Sequence, residues 1–344
     1  MSKTTAGYQE LVCIIEPRAP FLTPLQADTL WGMLAWACRW IYDEDGLNDF
    51  LSLQPDGSPR LLISDAFPDK MLPRPLQPMT LTEIRAVIEQ QGFSEGSDQY
   101  LEALAVAKEW SEQQYMDRQD VFDLLAGTAT QTKLLSKSLP GSLSVSRKGK
   151  MKPILFDHLP RRHNIIDRQR GGSLRENGLY THQELWLKGK WCIYLRTSYD
   201  PAWLQPLFDY VGESGFGKRA STGMGRFAIK EIRAPKLHEQ FPAVVSADGF
   251  LTLSSAYVPA AHEVSGDAYY ALHVKRGKLG AGMPTSSVGG FLKYPVTMCR
   301  AGSIFASTDP ARRWFGRLVD DVHHERKEVR HYGFAFPVAG KLFT

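Results

Sequence analysis

The order of apolar and polar residues in the middle of the chain predicts a helix, a glycine-rich loop and a strand in succession. Asp200 is a suitable N-cap, and Pro201 suits the first helical position. Apolar residues then recur with the spacing of one helix face, at Trp203, Leu204, Leu207, Phe208 and Val211. We expect this helix to end at Gly212, and we expect the alternating segment 226–232 to form a strand.

The N-terminal part of the chain predicts one strand followed by helices. The apolar segment 11–15 predicts the strand. Two capping-box patterns, at residues 23–26 and 80–83, predict the starts of two helices, the second of which should end at Gly92. A further helix is expected over about 98–117, with 121–125 as an extension of it. These helices between about residues 80 and 130 indicate a helical insertion in a body rich in strands.

The remaining segments predict strands and a domain boundary. Residues 180–187 and 191–196, separated by Lys188-Gly189-Lys190, are typical of a hairpin. Helical periodicity disappears after about residue 233, and we place the boundary near Ala234-Pro235. Beyond it, strand-like segments alternate with turns at 251–258, 269–275, 296–305, 315–322 and 332–338.

Composition indicates a cytoplasmic protein. No run of eighteen apolar residues is present, so no membrane span is expected. The N-terminus lacks the apolar stretch of a signal peptide. Four cysteines are far apart in the sequence, which predicts buried free thiols in a reducing compartment. No zinc-binding spacing occurs, and the neighbouring His323 and His324 are expected on the surface.

The predicted glycine-rich loop has the residue types of an anion-binding site. Residues 215–227 contain four glycines, three cations (Lys218, Arg219 and Arg226) and the hydroxyls of Ser221 and Thr222. Glycine lets a backbone turn sharply and approach a ligand, and bare backbone N–H groups bind phosphate. A nucleotide-binding P-loop is excluded because it follows a strand and opens a helix, which is the reverse of the order here. The alternative is a tight connection that binds nothing.

Charge is concentrated in one window. The chain has 41 basic and 37 acidic residues, a net charge of +4. Residues 133–175 alone contain eleven Lys and Arg against two acids. Such a local excess is typical of a protein that binds a polyanion. The alternative is a solvated basic loop, because residues 140–152 are rich in Gly, Ser, Lys and Arg.

Five motifs in order resemble the RAMP superfamily of CRISPR proteins, and within it the Cas-five-like group, the subunit-four family of type III-A Csm effector complexes. They are residues 24–32, residues 64–75, the segment Arg162-His163-Asn164-Ile165-Ile166-Asp167-Arg168, the glycine-rich loop, and the pair 301–305 and 332–338. The resemblance covers essentially the whole chain. It departs at Phe216 and Lys218-Arg219, where many relatives have another glycine.

The resemblance implies an α+β fold of two ferredoxin-like (RRM-like) domains. The expected N-terminal domain, residues 1–234, carries the helical insertion, a projecting basic segment at about 133–175 and the glycine-rich loop at 212–227. The expected C-terminal domain, residues 235–344, is rich in strands. The resemblance also implies a non-catalytic role without metal or cofactor. The subunit would hold the 5′ repeat-derived tag of the crRNA, contact a large Cas-ten-type subunit and a backbone RAMP subunit, and place a thumb-like hairpin in the guide–target duplex.

The candidate RNA-binding residues come from the loop and from the basic window. They are Gly215, Gly217, Lys218, Arg219, Ser221, Thr222, Gly223, Gly225, Arg226, Arg147, Lys148, Arg161, Arg162, Asn164, Asp167 and Arg168. Asn164 and Asp167 have the donor and acceptor chemistry to recognise base edges, although Asp167 and Arg168 would also suit an internal turn. Three alternatives remain: a metal-independent RAMP endoribonuclease using His163 or His182, the equivalent subunit of a related type III complex, and a generic RNA-binding protein.

Overall fold

The computed structural model describes residues 4–139, 155–167, 169, 171–173, 178–260, 262–264, 266–280 and 290–343. Its helices are α1 (Ala27–Ile41), α2 (Asp43–Leu51), α3 (Leu81–Gln90), α4 (Asp98–Ser111), α5 (Arg118–Leu125), α6 (Gln131–Ser138) and α7 (Pro201–Ser214). Short 3-10 turns lie at Ala220–Thr222 and Leu237–Glu239.

Eighteen strands accompany the helices in the described part of the chain. They are β1 (Thr4–Pro17), β2 (Leu61–Pro68), β3 (Met71–Pro73), β4 (Tyr115–Asp117), β5 (Phe156–Asn164), β6 (Ile166–Asp167), β7 (Gly172–Ser173), β8 (Leu179–Leu187), β9 (Trp191–Tyr199), β10 (Phe227–Arg233), β11 (Gly249–Thr252), β12 (Ala268–Tyr269), β13 (Leu272–Lys275), β14 (Val296–Cys299), β15 (Ile304–Ala306), β16 (Phe315–Val319), β17 (His331–Ala335) and β18 (Pro337–Gly340).

The described residues divide into two compact units. The first contains residues up to 61 and the segment from 155 to 234, and the second contains 62–139 and the chain from Pro235 onward. Residues 62–139 were predicted to belong to the N-terminal domain. In the structure they pack with the C-terminal segment, because Asp65 donates its N–H to the carbonyl of Leu253 and its carboxylate accepts from the N–H of Ser255.

The first unit contains a sheet in which β1 is central. β1 pairs antiparallel with β10 on one side and with β9 on the other. Helices α1 and α7 pack against each other, and α7 also packs on β10. Within the first unit, β1 followed by α1, and β9 followed by α7 and β10, with β1 paired between β9 and β10, match part of the split βαβ arrangement of a ferredoxin-like fold.

The predicted hairpin of residues 180–187 with 191–196 is wrong. β8 pairs instead with β5, and β9 pairs with β1. The physical reason is burial: β9 is buried at all nine positions, whereas β8 alternates between covered and exposed positions. A strand covered on both faces belongs in the centre of a sheet, whereas a half-exposed strand suits a ribbon.

Several helix boundaries differ from the predicted ones. The predicted capping box at residues 23–26 is wrong, since α1 begins at Ala27 after Gln26. The hydroxyl of Thr23 instead accepts from the N–H of Lys218. The capping box of Thr80 with Glu83 is confirmed. The long helix expected over 98–117 ends at Ser111, and β4 and α5 follow it. Helix α7 starts as predicted and continues past Gly212 to Ser214.

The second unit is built around the antiparallel sheet β12–β15–β11–β18. Its core contains stacked aromatic side chains, among which the rings of Phe250 and Phe315 lie 4.1 Å apart. The strand segments expected after residue 233 are confirmed in outline. All four cysteines are buried and free, as predicted. The expectation for His323 is wrong, because its side chain is buried against the carbonyl of Gly290.

Candidate nucleic-acid interface

The glycine-rich loop between α7 and β10 folds back on itself. The N–H of Phe216 donates to the carbonyl of Gly225 at 2.9 Å. A Cβ at Gly225 would lie 2.2 Å from the carbonyl oxygen of Phe216, and one at Gly215 would lie 2.4 Å from that of Met224. These two glycines are therefore required by the loop's own packing. Gly223, with open space around its Cα, is the position where a ligand can approach the backbone.

Residues 18–23, which follow β1, hold the loop in place. The N–H of Gly225 donates to the carbonyl of Pro20 at 2.8 Å, and the ring of Phe21 packs against that of Phe216. The N–H of Lys218 donates to the hydroxyl of Thr23 at 3.0 Å. The loop is therefore anchored through its backbone. The side chain of Lys218 is exposed and extends from this fixed main chain.

A ribbon of β5 and β8 forms the second part of the site. In its register, Arg161 lies opposite His182 and His163 lies opposite Tyr180. Directly opposed residues share one face of a two-stranded ribbon, and neighbours along a strand alternate between faces. Arg161 and His163 therefore lie on the face that carries Tyr180, whereas Arg162 and Asn164 lie on the other face.

Arg219 joins the loop to this ribbon. Its guanidinium donates to the hydroxyl of Tyr180 at 2.9 Å and lies 5.1 Å from the centre of that ring. The ring of Tyr180 stacks in turn on His163, with ring centres 5.3 Å apart. Arg219 adopts a left-handed backbone conformation with φ of 61°, which is uncommon for a residue with a side chain. The loop and the ribbon thus form one continuous surface.

Two histidines complete the polar face of the ribbon. The rings of His163 and His182 lie 5.1 Å apart, and the Nε2 atom of each is enclosed without a hydrogen-bond partner among the described residues. Loss of solvation, followed by the nearby charges of Arg219 and Lys218, lowers the pKa of His182. A lowered pKa keeps the imidazole neutral at pH 7, so the positive charge of this face comes from its arginines and lysine.

A buried carboxylate pairs with one cation of the same face. Glu184 is almost completely buried, and it lies 3.6 Å from the guanidinium of Arg161. Its other oxygen accepts from the indole N–H of Trp186 at 3.1 Å. Arg161 is thus held at one end by Glu184 while most of its side chain stays in solvent.

The structure places the remaining predicted site residues as follows. Lys218, Ser221, Thr222, Arg226, Arg161, Arg162 and Asn164 are exposed. The hydroxyl of Thr222 donates to the carbonyl of Arg219, and the carboxylate of Asp167 accepts from the N–H of Gln169, so both are used in local turns. Gly217 packs against Thr23. Arg147, Lys148 and Arg168 lie outside the described residues.

Thr23 and Tyr180 were missed as site residues by the sequence analysis. Tyr180 contacts Arg219 across 39 positions of sequence, and Thr23 contacts Lys218 across 195. Thr23 carried a misleading signal, because a threonine followed by proline is also typical of a helix start. Within the described residues, no cluster of three His, Cys, Asp or Glu is arranged to hold a metal ion. None of the described helices has the length and apolar character needed to cross a bilayer.

No protein-family model and no curated protein matches the chain. Solved structures do match it. The Csm3-Csm4 subcomplex in the type III-A CRISPR-Cas interference complex aligns with a TM-score of 0.58 and 13% identity, over 97% of this chain and 99% of that chain. The Csm1-Csm4 cassette in complex with cA4 aligns with a TM-score of 0.54 and 16% identity, over 98% and 100%.

The chain has the fold of these type III-A components. This finding, with the mixed helices and antiparallel sheets, confirms the predicted α+β fold class. Csm4 is the component that the two aligned assemblies have in common.

Proposed function

We propose that this chain is an RNA-binding structural subunit of a type III-A CRISPR effector complex, in the position that Csm4 occupies. The chain holds the 5′ repeat-derived tag of the crRNA, and it contacts a large Cas-ten-type subunit and a backbone RAMP subunit. Support for the partners comes from the near-complete alignment with chains of the Csm1-Csm4 and Csm3-Csm4 assemblies. The same argument covers the equivalent subunit of a related type III complex, which shares this chemistry.

The observation that carries the RNA-binding proposal is the joined surface of loop and ribbon. Lys218, Arg226 and Arg161 are exposed there, and Arg219 uses one of its five N–H donors on Tyr180. Cations held on a fixed backbone, beside an open glycine, suit the phosphates of a single strand. Because the loop is already packed against residues 18–23, it does not lose conformational entropy when RNA binds, and this favours affinity for RNA.

The ribbon also has the surface expected of a thumb. Near its tip, Ile165, Ile166 and Leu179 are 43%, 63% and 75% exposed. Exposed apolar side chains on a basic element are typical of wedges that separate stacked bases. We propose that this end of the ribbon, which lies just beyond the contact of Tyr180 with Arg219, enters the guide–target duplex, while the glycine-rich loop stays on the tag.

The endoribonuclease alternative is weakened by the geometry of the histidines. General acid–base cleavage of RNA needs a ring nitrogen within hydrogen-bond reach of the 2′-hydroxyl or the leaving oxygen. The Nε2 atoms of His163 and His182 are enclosed, and the two rings pack against each other and against Tyr180. We expect His163→Ala to leave the processing of repeat RNA unchanged; loss of a cleavage product in that variant would support the enzyme instead.

The test is recovery of RNA with tagged protein from the cells that encode it. Wild-type protein is expected to recover crRNAs with one shared 5′ tag, together with the large subunit. Lys218→Ala with Arg226→Ala should recover much less. For purified protein and tagged RNA, the log–log salt slope should fall by about 1.4 for two lost phosphate contacts on a single strand.

The matched control is Arg85→Ala with Lys108→Ala, which removes two exposed cations from helices of the second unit. It changes net charge equally and should leave both the recovered RNA and the slope near wild type. Recovery of mixed RNA without a large-subunit partner would instead support a generic RNA-binding protein.

A further inference from the structure

A hollow of about 320 Å³ lies beside the loop in the first unit, lined by Arg18, Gly212, Glu213, Arg226 and Phe227. The end of β1 and the start of β10 form it, since Pro17 pairs with Phe227 and the N–H of Arg18 donates to the carbonyl of Arg226 at 2.8 Å. Sheet pairing therefore brings two arginines together at one opening. Arg18 was not among the residues that the sequence indicated.

Both arginine side chains are exposed. Neither guanidinium forms a salt bridge within the described ranges, although the charge of Arg18 contributes to the lowered pKa of Glu16. Nearby charges on the same strands are paired: Glu16 binds Lys230, and Glu231 binds Arg233. Because both arginines line the hollow, an anion bound there can accept from two guanidiniums.

Glu213 places a carboxylate at the same opening. It lies in the last turn of α7, where the helix dipole disfavours negative charge, and that turn contains no basic residue. The side chain is exposed and has no partner among the described residues. A carboxylate kept in an unfavourable position, next to two arginines that form no salt bridge with it, is available to a ligand's donor group.

Between these side chains, the hollow is bounded by the backbone at Gly212 and Phe227. A Cβ at Gly212 would lie 2.4 Å from the carbonyl oxygen of Phe227, so only glycine allows the helix end to sit this close to β10. The hollow is thus a fixed feature of the helix–strand packing. Its volume is at the lower end for ligand pockets, which suits a single nucleotide.

We propose that this hollow binds one nucleotide of single-stranded RNA, with its phosphate on Arg18 and Arg226 and the exocyclic amino group of its base on Glu213. The inference rests on the proposed RNA-binding function and adds a subsite to it. Arginine pairs with phosphate through parallel N–H donors, and a glutamate accepts from the amino group of cytosine, which uracil lacks. Because Arg226 also belongs to the glycine-rich loop, the subsite continues the same phosphate path.

The experiment measures the affinity of the full chain for the octamers rC8 and rU8 over a range of salt. Arg18→Ala should lower the salt slope by about 0.7 for both RNAs, because it removes one phosphate contact. Wild type should prefer rC8 at least fivefold, and Glu213→Gln should reduce that preference to less than twofold while raising the melting temperature. Arg85→Ala is the control for the loss of one exposed arginine.

The outcomes separate the subsite from the proposed function. If the wild type binds RNA and Arg18→Ala has the slope of Arg85→Ala, the phosphate position is wrong. An unchanged preference for rC8 in Glu213→Gln overturns the base contact. If the folded wild-type chain binds neither octamer nor tagged RNA, the proposed function fails and the subsite fails with it. Melting temperatures of all variants show that each one is folded.

Discussion

Arg74 and Arg219 each lie over an aromatic ring, but in opposite surroundings. In the second unit, the guanidinium of Arg74 lies 3.7 Å from the centre of the Trp110 ring, and the residue is only 7% exposed. It donates to the carbonyl of Trp110 and to the side-chain oxygen of Gln131. In the first unit, the guanidinium of Arg219 lies 5.1 Å from the centre of the Tyr180 ring. Arg219 is half-exposed, and its neighbour Lys218 is exposed.

The difference shows that cation–aromatic geometry alone does not mark a binding site. Burial lowers the pKa of Arg74 to about 10, so it stays charged at neutral pH, and its donors are directed at protein acceptors. Arg219 has donors left over and other cations around it, as a polyanion site requires. The contacts of Arg74 indicate a role in stabilising the fold, whereas the proposed RNA-binding surface includes Arg219.

The largest expected effect is on stability, at Arg74. Arg74→Ala leaves the carbonyl of Trp110 and the amide oxygen of Gln131 without their donor and opens a cavity, so we expect the free energy of unfolding to fall by roughly 3 kcal/mol. Denaturant unfolding measures it. Arg85→Ala, an exposed arginine of the same unit, should change stability by less than about 0.5 kcal/mol. Equal effects of the two substitutions would contradict a structural role for Arg74.

Arg219→Ala should show the reverse pattern. We expect stability to change by less than about 1 kcal/mol, because the side chain is half-exposed and its neighbours are solvated. Affinity for tagged RNA should fall roughly tenfold, since a charged donor to phosphate is lost. Binding and unfolding measured on the same preparations test this. A large loss of stability with unchanged RNA affinity would mean that Arg219, like Arg74, stabilises the fold and does not bind RNA.

Tyr180→Phe gives a smaller effect and tests how Arg219 is positioned. The substitution removes the hydroxyl that accepts from Arg219 and keeps the ring, so RNA affinity should fall by about threefold. In a double-mutant cycle with Arg219→Ala, the two effects should not add, because the hydroxyl acts through the arginine. Additive losses would mean that Tyr180 contacts RNA directly.

Local signals explain what the sequence could predict. The start of α7 was predictable because an N-cap aspartate, a proline at the first helical position and an apolar stripe all lie within twelve residues. The glycine-rich loop was recognisable for the same reason. Its glycines, however, divide into positions required by the loop's packing and one open position, and only the fold of the backbone distinguishes Gly225 from Gly223.

Contacts distant in sequence could not be predicted. The partner of β8 is β5, and the hairpin interpretation failed because it assumed that neighbouring segments pair. The available signal was the difference between the apolar β9 and the alternating β8. The contact of Arg219 with Tyr180, and the approach of Arg18 to Arg226, depend on sheet register and loop path, which no spacing in the sequence encodes.

The smallest expected effect is the pH response of His182. Its pKa is lowered in the folded chain, first by loss of solvation and then by Arg219, Lys218 and His163, while Glu184 opposes the shift. The folded state therefore binds fewer protons than the unfolded state near pH 6, so this residue favours folding above its ordinary pKa of about 6.5 and disfavours it as pH falls. His182→Gln should narrow the difference in melting temperature between pH 7.5 and pH 5.5.

The pKa of His182 should also change when RNA binds. A phosphate bound at Arg219 or Lys218 neutralises the charges that lower the pKa of His182, so bound RNA should raise that pKa, and affinity should increase slightly as pH falls from 7.5 to 6. Titration of the His182 ring by NMR, with and without tagged RNA, measures both values. An unliganded pKa at or above 6.5 would contradict the electrostatics described for this face. A pKa of His182 that bound RNA leaves unchanged would place the phosphates away from Arg219, and Arg219 would then not differ from Arg74 in binding RNA.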